Sequence, residues 1–156
     1  TIYGPHEWTG PPFFNAQGSL YGYIFRKNDR YHYFINGKAY GPYNQAGITM
    51  SPGGASFGIS FRKKDGSYVR VNEKVYGPFD GLDSIVRFST DGSQFGIMHE
   101  KRVGPWHRGH YDRYIRFMDR DYGPYREADL RFISGGRVIA GFIKDGKAFV
   151  AELPQN

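Results

Sequence analysis

The segment from Lys101 to Arg113 concentrates side chains that could recognise a ligand. Its centre contains Trp106, His107, Arg108, His110 and Tyr111. Aromatic rings offer stacking surface, and arginine and histidine add charge and hydrogen bonds, a combination that suits a sugar, a base or a protein hot spot. This composition predicts a binding site. The alternative is a tolerated loop whose Trp106 ring folds back onto a neighbouring part of the scaffold.

The same segment could suggest a metal site, because it places two histidines near an aspartate: His107, His110 and Asp112. Two histidines three residues apart in a glycine-containing loop are weak evidence, so we expect no metal and no other cofactor. The sequence shows no nucleophile elbow, phosphate-binding loop or calcium loop.

Carboxylates gather in the loops that lead to the expected innermost strands: Glu7, Asp80, Asp83, Glu127 and Asp129. Two of them near a common axis could act as acid and base in glycoside hydrolysis. Acids in such loops more commonly accept hydrogen bonds from backbone N–H groups. The sequence therefore favours a protein that is not an enzyme.

Four short charged segments hold more than the whole positive charge of the chain. Residues 26–30, 62–65, 100–113 and 144–147 contain twelve basic and five acidic side chains, against a net charge of +6 for the chain. Such a cluster, including Lys63, Lys64 and Arg102, would attract an acidic protein, a polyanionic glycan or nucleic acid. The alternative is that these charges are solvated at hairpin tips and block pairing between sheet edges.

The composition indicates that these residues are displayed by β-strands. Gly (22 residues) and Pro (9 residues) interrupt the chain so often that the longest segment without either runs from Tyr23 to Asn36. That excludes a helical bundle, a coiled coil and a transmembrane helix. Aromatic residues make up 18% of the chain, which suits strands and tight turns. Cysteine is absent, so neither disulfides nor thiolate metal sites can hold the fold.

A fourfold repeat predicts the architecture. Tyr-Gly-Pro occurs at 3–5, 40–42, 76–78 and 122–124. Each copy is followed by a β-like run, a glycine turn and an apolar run, so Gly92 and Gly136 are predicted to have positive φ. The tyrosines of the motif are expected to pack between neighbouring units. Four antiparallel strands in each repeat correspond to one propeller blade.

Three motifs resemble the repeats of TolB-type, WD-like bacterial β-propellers: Phe-Ser-Thr-Asp-Gly at 88–92, Phe-Gly-Ile at 95–97 and Asn-Gly-Lys-Ala-Tyr-Gly-Pro at 36–42. The resemblance implies a propeller that serves as a protein-interaction platform. It also implies a periplasmic or extracellular location.

The predicted fold is a single all-β domain over residues 1–156, a small four-bladed propeller with about four antiparallel strands in each blade. The blades span roughly 11–42, 46–78, 84–124 and 128–153, with 1–5 completing the last blade as its outer strand. A piece of a larger propeller and a pair of chains are the alternatives, and the oligomeric state stays open.

The predicted function is non-catalytic binding of a protein partner through the loop face that carries residues 101–113. The candidate binding residues are Lys63, Lys64, Arg102, Trp106, His107, Arg108, His110 and Tyr111. The main alternative is a lectin-like module for an anionic glycan or another polyanion, and a glycosidase-like hydrolase is the less favoured one. We do not expect nucleic acid as the partner, or insertion into a membrane.

Overall fold

Four antiparallel sheets follow one another along the chain in the computed structural model, which describes residues 4–54, 56–81, 85–105 and 108–155. The first sheet contains β1 (Trp8–Thr9), β2 (Phe13–Phe14), β3 (Tyr21–Lys27), β4 (Arg30–Ile35) and β5 (Lys38–Tyr43). The second contains β6 (Ala46–Met50), β7 (Phe57–Lys63), β8 (Gly66–Val71) and β9 (Lys74–Phe79). The third contains β10 (Ile85–Phe88), β11 (Phe95–Val103), β12 (His110–Phe117) and β13 (Arg120–Tyr125). The fourth contains β14 (Glu127–Phe132), β15 (Val138–Lys144) and β16 (Lys147–Glu152).

Each sheet is a meander in which sequential strands pair, so the all-β class predicted from the sequence is confirmed. The only helical element among the described residues is a 3-10 turn at Ser134–Gly136. The predicted positive φ values are confirmed too, at +74° for Gly92 and +73° for Gly136. The innermost strand of the first sheet is divided into β1 and β2, which both pair with β3.

The Phe-Ser-Thr-Asp-Gly turn is held by its own side chains. The Ser89 hydroxyl donates to Asp91 Oδ1 at 2.7 Å, and the backbone N–H of Ser93 donates to the same oxygen at 3.1 Å. These hydrogen bonds stabilise the charged carboxylate and lower the pKa of Asp91 to about 2. The aspartate therefore closes the hairpin locally, as an Asx-type turn does.

The glycine of Tyr-Gly-Pro lets the outer strand lie directly against the third strand of its sheet. The Gly-Pro peptide bond is cis in all four copies. Gly77 has a φ of +119°, and a Cβ there would lie 2.7 Å from the Ser67 carbonyl oxygen and 2.9 Å from Tyr68 Cδ1. Gly41 and Gly123 approach His32 and Tyr114 in the same way. Any larger residue would therefore push the outer strand away from its neighbour.

The ring of the residue after each proline packs against a ring on the second strand of the following sheet. The pairs and their ring-centroid distances are His6–Phe25 at 4.2 Å, Tyr43–Phe61 at 4.7 Å, Phe79–His99 at 4.4 Å and Tyr125–Phe142 at 4.2 Å. Each second-strand ring also stacks on a third-strand ring, namely His32, Tyr68, Tyr114 and Phe149. We call these four sets of three rings the ring columns.

Three hydrophobic clusters join consecutive sheets. The first cluster links the first and second sheets through residues such as Tyr33 and Ile59. The second links the second and third sheets through Val69 and Ile97. The third links the third and fourth sheets, with Leu130 fully buried. The sheets are therefore successive layers that share apolar cores, as the packed blades of a propeller do.

Three of the motif's tyrosines, Tyr40, Tyr76 and Tyr122, pack between neighbouring sheets, as predicted, whereas Tyr3 lies outside the described residues. Tyr40 meets Phe57 edge-on at 5.1 Å, and Tyr76 meets Phe95 at 5.6 Å. The hydroxyl of Tyr40 donates to Glu73 at 2.7 Å. Tyr40 and Tyr76 thus each contact the first residue of the second strand in the next sheet.

The second strand of the fourth sheet begins in the same register as that of the second sheet. Val138 pairs with Phe132 as Phe57 pairs with Met50. Within the described residues this sheet ends at β16, where Phe149 is 44% and Val150 77% exposed. The predicted partner of this edge, Thr1 to Tyr3, lies outside the described residues.

Candidate binding surface

The segment from 101 to 113 extends a hairpin ladder instead of forming an irregular loop. The pairs of β11 and β12 continue beyond Lys101↔Asp112 to Arg102↔Tyr111 and Val103↔His110. In the second sheet the corresponding ladder stops at Lys63↔Gly66, two pairs earlier. We call residues 101–113 the hairpin tip. Its backbone hydrogen bonds hold it beyond the ends of the other hairpins.

The hairpin tip exposes apolar and aromatic surface. Val103 is 38% and Tyr111 45% exposed. The His110 ring is also exposed and lies 3.3 Å from Asp112 Oδ1. At the end of the tip, the Gly109 N–H donates to the Pro105 carbonyl at 2.7 Å, which closes the turn. Arg108 is exposed there, whereas Trp106 and His107 lie outside the described residues.

A carboxylate from the preceding sheet fixes the base of the hairpin tip. The backbone N–H of Arg102 donates to Asp80 Oδ2 at 2.9 Å. The first sheet repeats this contact, because the Asn28 N–H donates to Glu7 Oε1 at 3.0 Å. Both acids directly follow the stacked residue after Tyr-Gly-Pro. The predicted catalytic carboxylates Glu7 and Asp80 thus accept backbone hydrogen bonds, the alternative that the sequence left open.

The other candidate catalytic carboxylates, among the residues that the structure describes, do not form a pair that could act as acid and base. Asp129 lies 3.0 Å from Arg131 and 3.6 Å from Arg87. Glu127 is exposed at the start of β14, and Asp83 lies outside the described residues. Among the residues that the structure describes, no group of three or more His, Cys, Asp or Glu side chains could hold a metal ion.

A buried histidine lies below the hairpin tip. His99 is 7% exposed and stacks between Phe79 and Tyr114. Burial lowers the pKa of His99, and the hydrogen bond between its Nε2 and Asp121 Oδ1, at 3.1 Å, only partly offsets this. Burial would raise the pKa of Asp121, but hydrogen bonds from Arg116 and His99 hold it below its usual value. This network could not be predicted from the sequence, because its members are up to 22 residues apart.

The predicted site residues fall on two separate tips. Lys63 is the last residue of β7 and Lys64 begins the turn after it, and Lys63 Nζ lies 4.5 Å from the centre of the Tyr68 ring. Arg102, Arg108, His110 and Tyr111 belong to the hairpin tip of the third sheet. A single compact site made of all eight residues therefore stays a prediction.

The sequence did not predict a cleft between the first and second sheets. Its volume is about 630 Å³, and Trp8 and Tyr31 line it on one side and Gln45 and Arg62 on the other. The available signal was Trp8 itself, one of two tryptophans, just ahead of the Gly-Pro-Pro segment that interrupts the innermost strand. The cleft joins residues from separate repeats, so spacing along the chain could not reveal it.

The described part of the chain contains no helix that is long and apolar enough to cross a membrane. Comparison of the chain with protein-family models, with curated proteins and with solved structures gives no match.

Proposed function

We propose that this chain is a non-catalytic binding module that holds a protein partner through the hairpin tip. The observation that carries the proposal is the extended β11–β12 ladder, which leaves Val103 and Tyr111 exposed beyond the ends of the other hairpins. Side chains on a rigid ladder lose little conformational freedom on binding, which makes them effective interface anchors. Trp106 is the remaining candidate anchor in the tip.

The charge of the hairpin tip favours a partner with an acidic surface. Residues 101–113 contain four basic side chains and one carboxylate: Lys101, Arg102, Arg108 and Arg113 against Asp112. Such a charge excess speeds association and helps to select a complementary partner, while contributing less to affinity than a desolvated aromatic anchor. An acidic protein therefore suits the tip better than a neutral one.

The second candidate is an anionic glycan or another polyanion bound by the basic tips. Lys63 and Lys64 support it, because both are exposed at the turn after β7. A glycosidase-like hydrolase has less support, since Glu7 and Asp80 accept backbone hydrogen bonds and Asp129 pairs with arginines.

The scaffold proposed for this function is a four-bladed ring of the TolB-type or WD-like kind, closed by Thr1 to Tyr3 beside β16. The contact of His6 with Phe25 supports closure, because it repeats the contact of Tyr43 with Phe61. An outer strand is therefore expected just before His6, next to a sheet that lacks one. The proposed periplasmic or extracellular setting follows from the resemblance of the repeats alone.

A protein and glycan array probed at low and at physiological salt tests the proposed function. We expect a protein ligand whose binding falls at least about 30-fold with Tyr111→Ala or Trp106→Ala, the size of a hot-spot contact. Raising the salt concentration should weaken that binding much less than either substitution does. The matched control is Tyr21→Ala, because Tyr21 is 49% exposed on the first sheet and lies away from the tip.

The other outcomes identify the alternatives. A steep loss of binding with salt, and abolition by joint reversal of Lys63, Lys64, Arg102 and Arg108 to Glu, would point to a polyanion. Binding that survives both sets of changes would move the site off this surface. Glycan hydrolysis that disappears with Asp129→Asn would contradict the non-catalytic proposal.

A further inference from the structure

The cleft between the first and second sheets has the size of a small-ligand site. Its volume of about 630 Å³ lies within the range of roughly 300–1,000 Å³ that is typical of such sites. One wall comes from β1, β3 and β4, and the other comes from β6, β7 and β8. The cleft lies on different sheets from the hairpin tip, so it is a separate candidate site.

Trp8 gives the cleft an exposed aromatic wall. Trp8 is 48% exposed although it pairs with Arg26 in the first sheet. Its ring lies over Gly10, where a Cβ would be 3.2 Å from Trp8 Cη2. The Gly10 N–H donates to the Ile24 carbonyl at 2.8 Å, which fixes the segment that carries the indole. The ring is therefore held in place while much of its surface stays open to a ligand.

Two tyrosines complete the wall of the first sheet. Tyr33 is 2% exposed, and its hydroxyl donates to the Ala46 carbonyl at 2.8 Å, which ties the two sheets together at the cleft. Burial raises the pKa of Tyr33 to about 12, so its hydroxyl keeps its proton near neutral pH. Tyr31 is partly exposed and packs under the Arg26 guanidinium at 5.7 Å.

Polar groups of the second sheet face the aromatic wall across the cleft. Gln45 and Arg62 are exposed and line it. Ser67 also lines it, is 4% exposed, and makes no side-chain hydrogen bond with any residue that the structure describes. Arg62 is the one charged residue among the described lining residues, and none of them is a carboxylate. The cleft therefore holds hydrogen-bond donors and a positive charge that no described lining residue neutralises.

We propose that this cleft binds a sugar residue that bears a carboxylate. A pyranose ring has an apolar C–H face that can lie on the Trp8 indole, and a rim of hydroxyls that can bond to Gln45 and Ser67. The Arg62 guanidinium would take the carboxylate, since the planar fork of arginine suits that group. A proline-rich peptide would use the aromatic wall but would leave Arg62 without a partner. This inference goes beyond the proposed function and does not depend on it.

The test uses the full chain with Trp106→Phe, so that Trp8 is its one tryptophan and reports on the cleft. Methyl β-glucuronide and methyl β-glucoside are the probes, because they differ only in the carboxylate. We expect the glucuronide to change Trp8 fluorescence saturably in the millimolar range, and to shift the NMR signal of the Gln45 side-chain amide. The glucoside should bind about tenfold more weakly, because it lacks the partner of Arg62.

Two variants decide the assignment. Arg62→Gln should weaken glucuronide binding about tenfold and leave glucoside binding unchanged, whereas the control Arg120→Gln, on the exposed start of β13, should change neither. Trp8→Leu should abolish the shift at Gln45. Equal binding of both sugars, or no saturable response to either, would overturn the proposal. A Trp8 response to a decaproline peptide with no response to sugars would assign the cleft to peptides instead.

Discussion

His99 is the second-strand residue of its ring column, a position that phenylalanine occupies in the other three. Phe25, Phe61 and Phe142 occupy the corresponding place in the other three ring columns. His99 keeps the stacking role but adds a hydrogen bond to Asp121, which in turn binds Arg116 through both carboxylate oxygens. This residue therefore places a group that can be protonated at the buried centre of one ring column.

Replacing His99 by phenylalanine should reduce the pH dependence of stability. The folded protein holds the pKa of His99 below its ordinary value of 6.5, mainly through burial. Below that pH the unfolded chain binds a proton that the folded protein resists, so the free energy of unfolding falls as the pH falls from about 7 toward 5. His99→Phe should show a smaller fall in urea unfolding followed across this range. The control is His110→Phe on the exposed hairpin tip, and equal slopes for wild type and His99→Phe would contradict the expectation.

Gly77→Ala should destabilise the protein by about 1–3 kcal/mol, because the new Cβ would press on the Ser67 carbonyl and the Tyr68 ring at a φ of +119°. Gly141→Ala is the matched control: it is also a strand glycine, but a Cβ there meets nothing within 4 Å. Chemical unfolding of both variants measures the difference. Equal stability would show that the outer strand can move aside without cost.

The hairpin tip shows how one repeat acquires a new surface without disturbing the sheet beneath it. Its two additional residue pairs continue the regular β11–β12 ladder, and Asp80 braces its base from the preceding sheet. The equivalent brace in the first sheet, Glu7 on Asn28, supports a short turn. The same type of hydrogen bond, from a backbone N–H to a carboxylate, thus occurs in the first and third sheets, and in the third it supports the longer hairpin.

Asp80→Ala should loosen the hairpin tip while leaving the sheets intact. The Arg102 N–H loses its acceptor, a contact worth about 0.5–1.5 kcal/mol, so its amide should exchange hydrogen several-fold faster. Residue-resolved hydrogen exchange measures this change. Glu127→Ala is the control, because Glu127 is exposed at the start of β14. Unchanged protection at Arg102 would show that the ladder alone holds the tip.

The sequence predicted the strands better than the surfaces that they create. Tyr-Gly-Pro and the turn glycines recur within each repeat, so local spacing revealed the sheets and the role of Gly92. The extended ladder was predicted only as part of a loop face, because pairing of Val103 with His110 depends on a partner strand across the turn. The cleft was missed for a related reason: Trp8 and Arg62 meet only after two sheets pack together.

Among the described residues, the fourth sheet has one strand fewer than the second and third sheets. The second and third sheets each end in a strand that carries Tyr-Gly-Pro, whereas β16 has no outer neighbour among the described residues and exposes Val150 at its edge. An unpaired strand edge invites another strand. The ring proposal assigns this place to Thr1 to Tyr3 of the same chain.

Deleting residues 1–5 should lower the melting temperature by several degrees, because lost strand pairing and packing would cost about 1–3 kcal/mol. Sedimentation of the intact chain should show a monomer at every concentration, since closure within one chain leaves no strand to donate. An unchanged melting temperature would exclude closure by this strand. Assembly that grows with concentration would mean that the strand pairs with β16 of a second copy.

The contact between neighbouring sheets at a ring column does not involve the turn of the hairpin. Each ring column consists of one residue after proline and two rings on the next sheet, so the turn between those two strands takes little part in it. Residues 101–113 could therefore replace the turn between Lys63 and Gly66, because the second sheet has an equivalent ring column. The fold would then be a scaffold on which several hairpins could carry a binding segment, although only the β11–β12 hairpin is extended among the described residues.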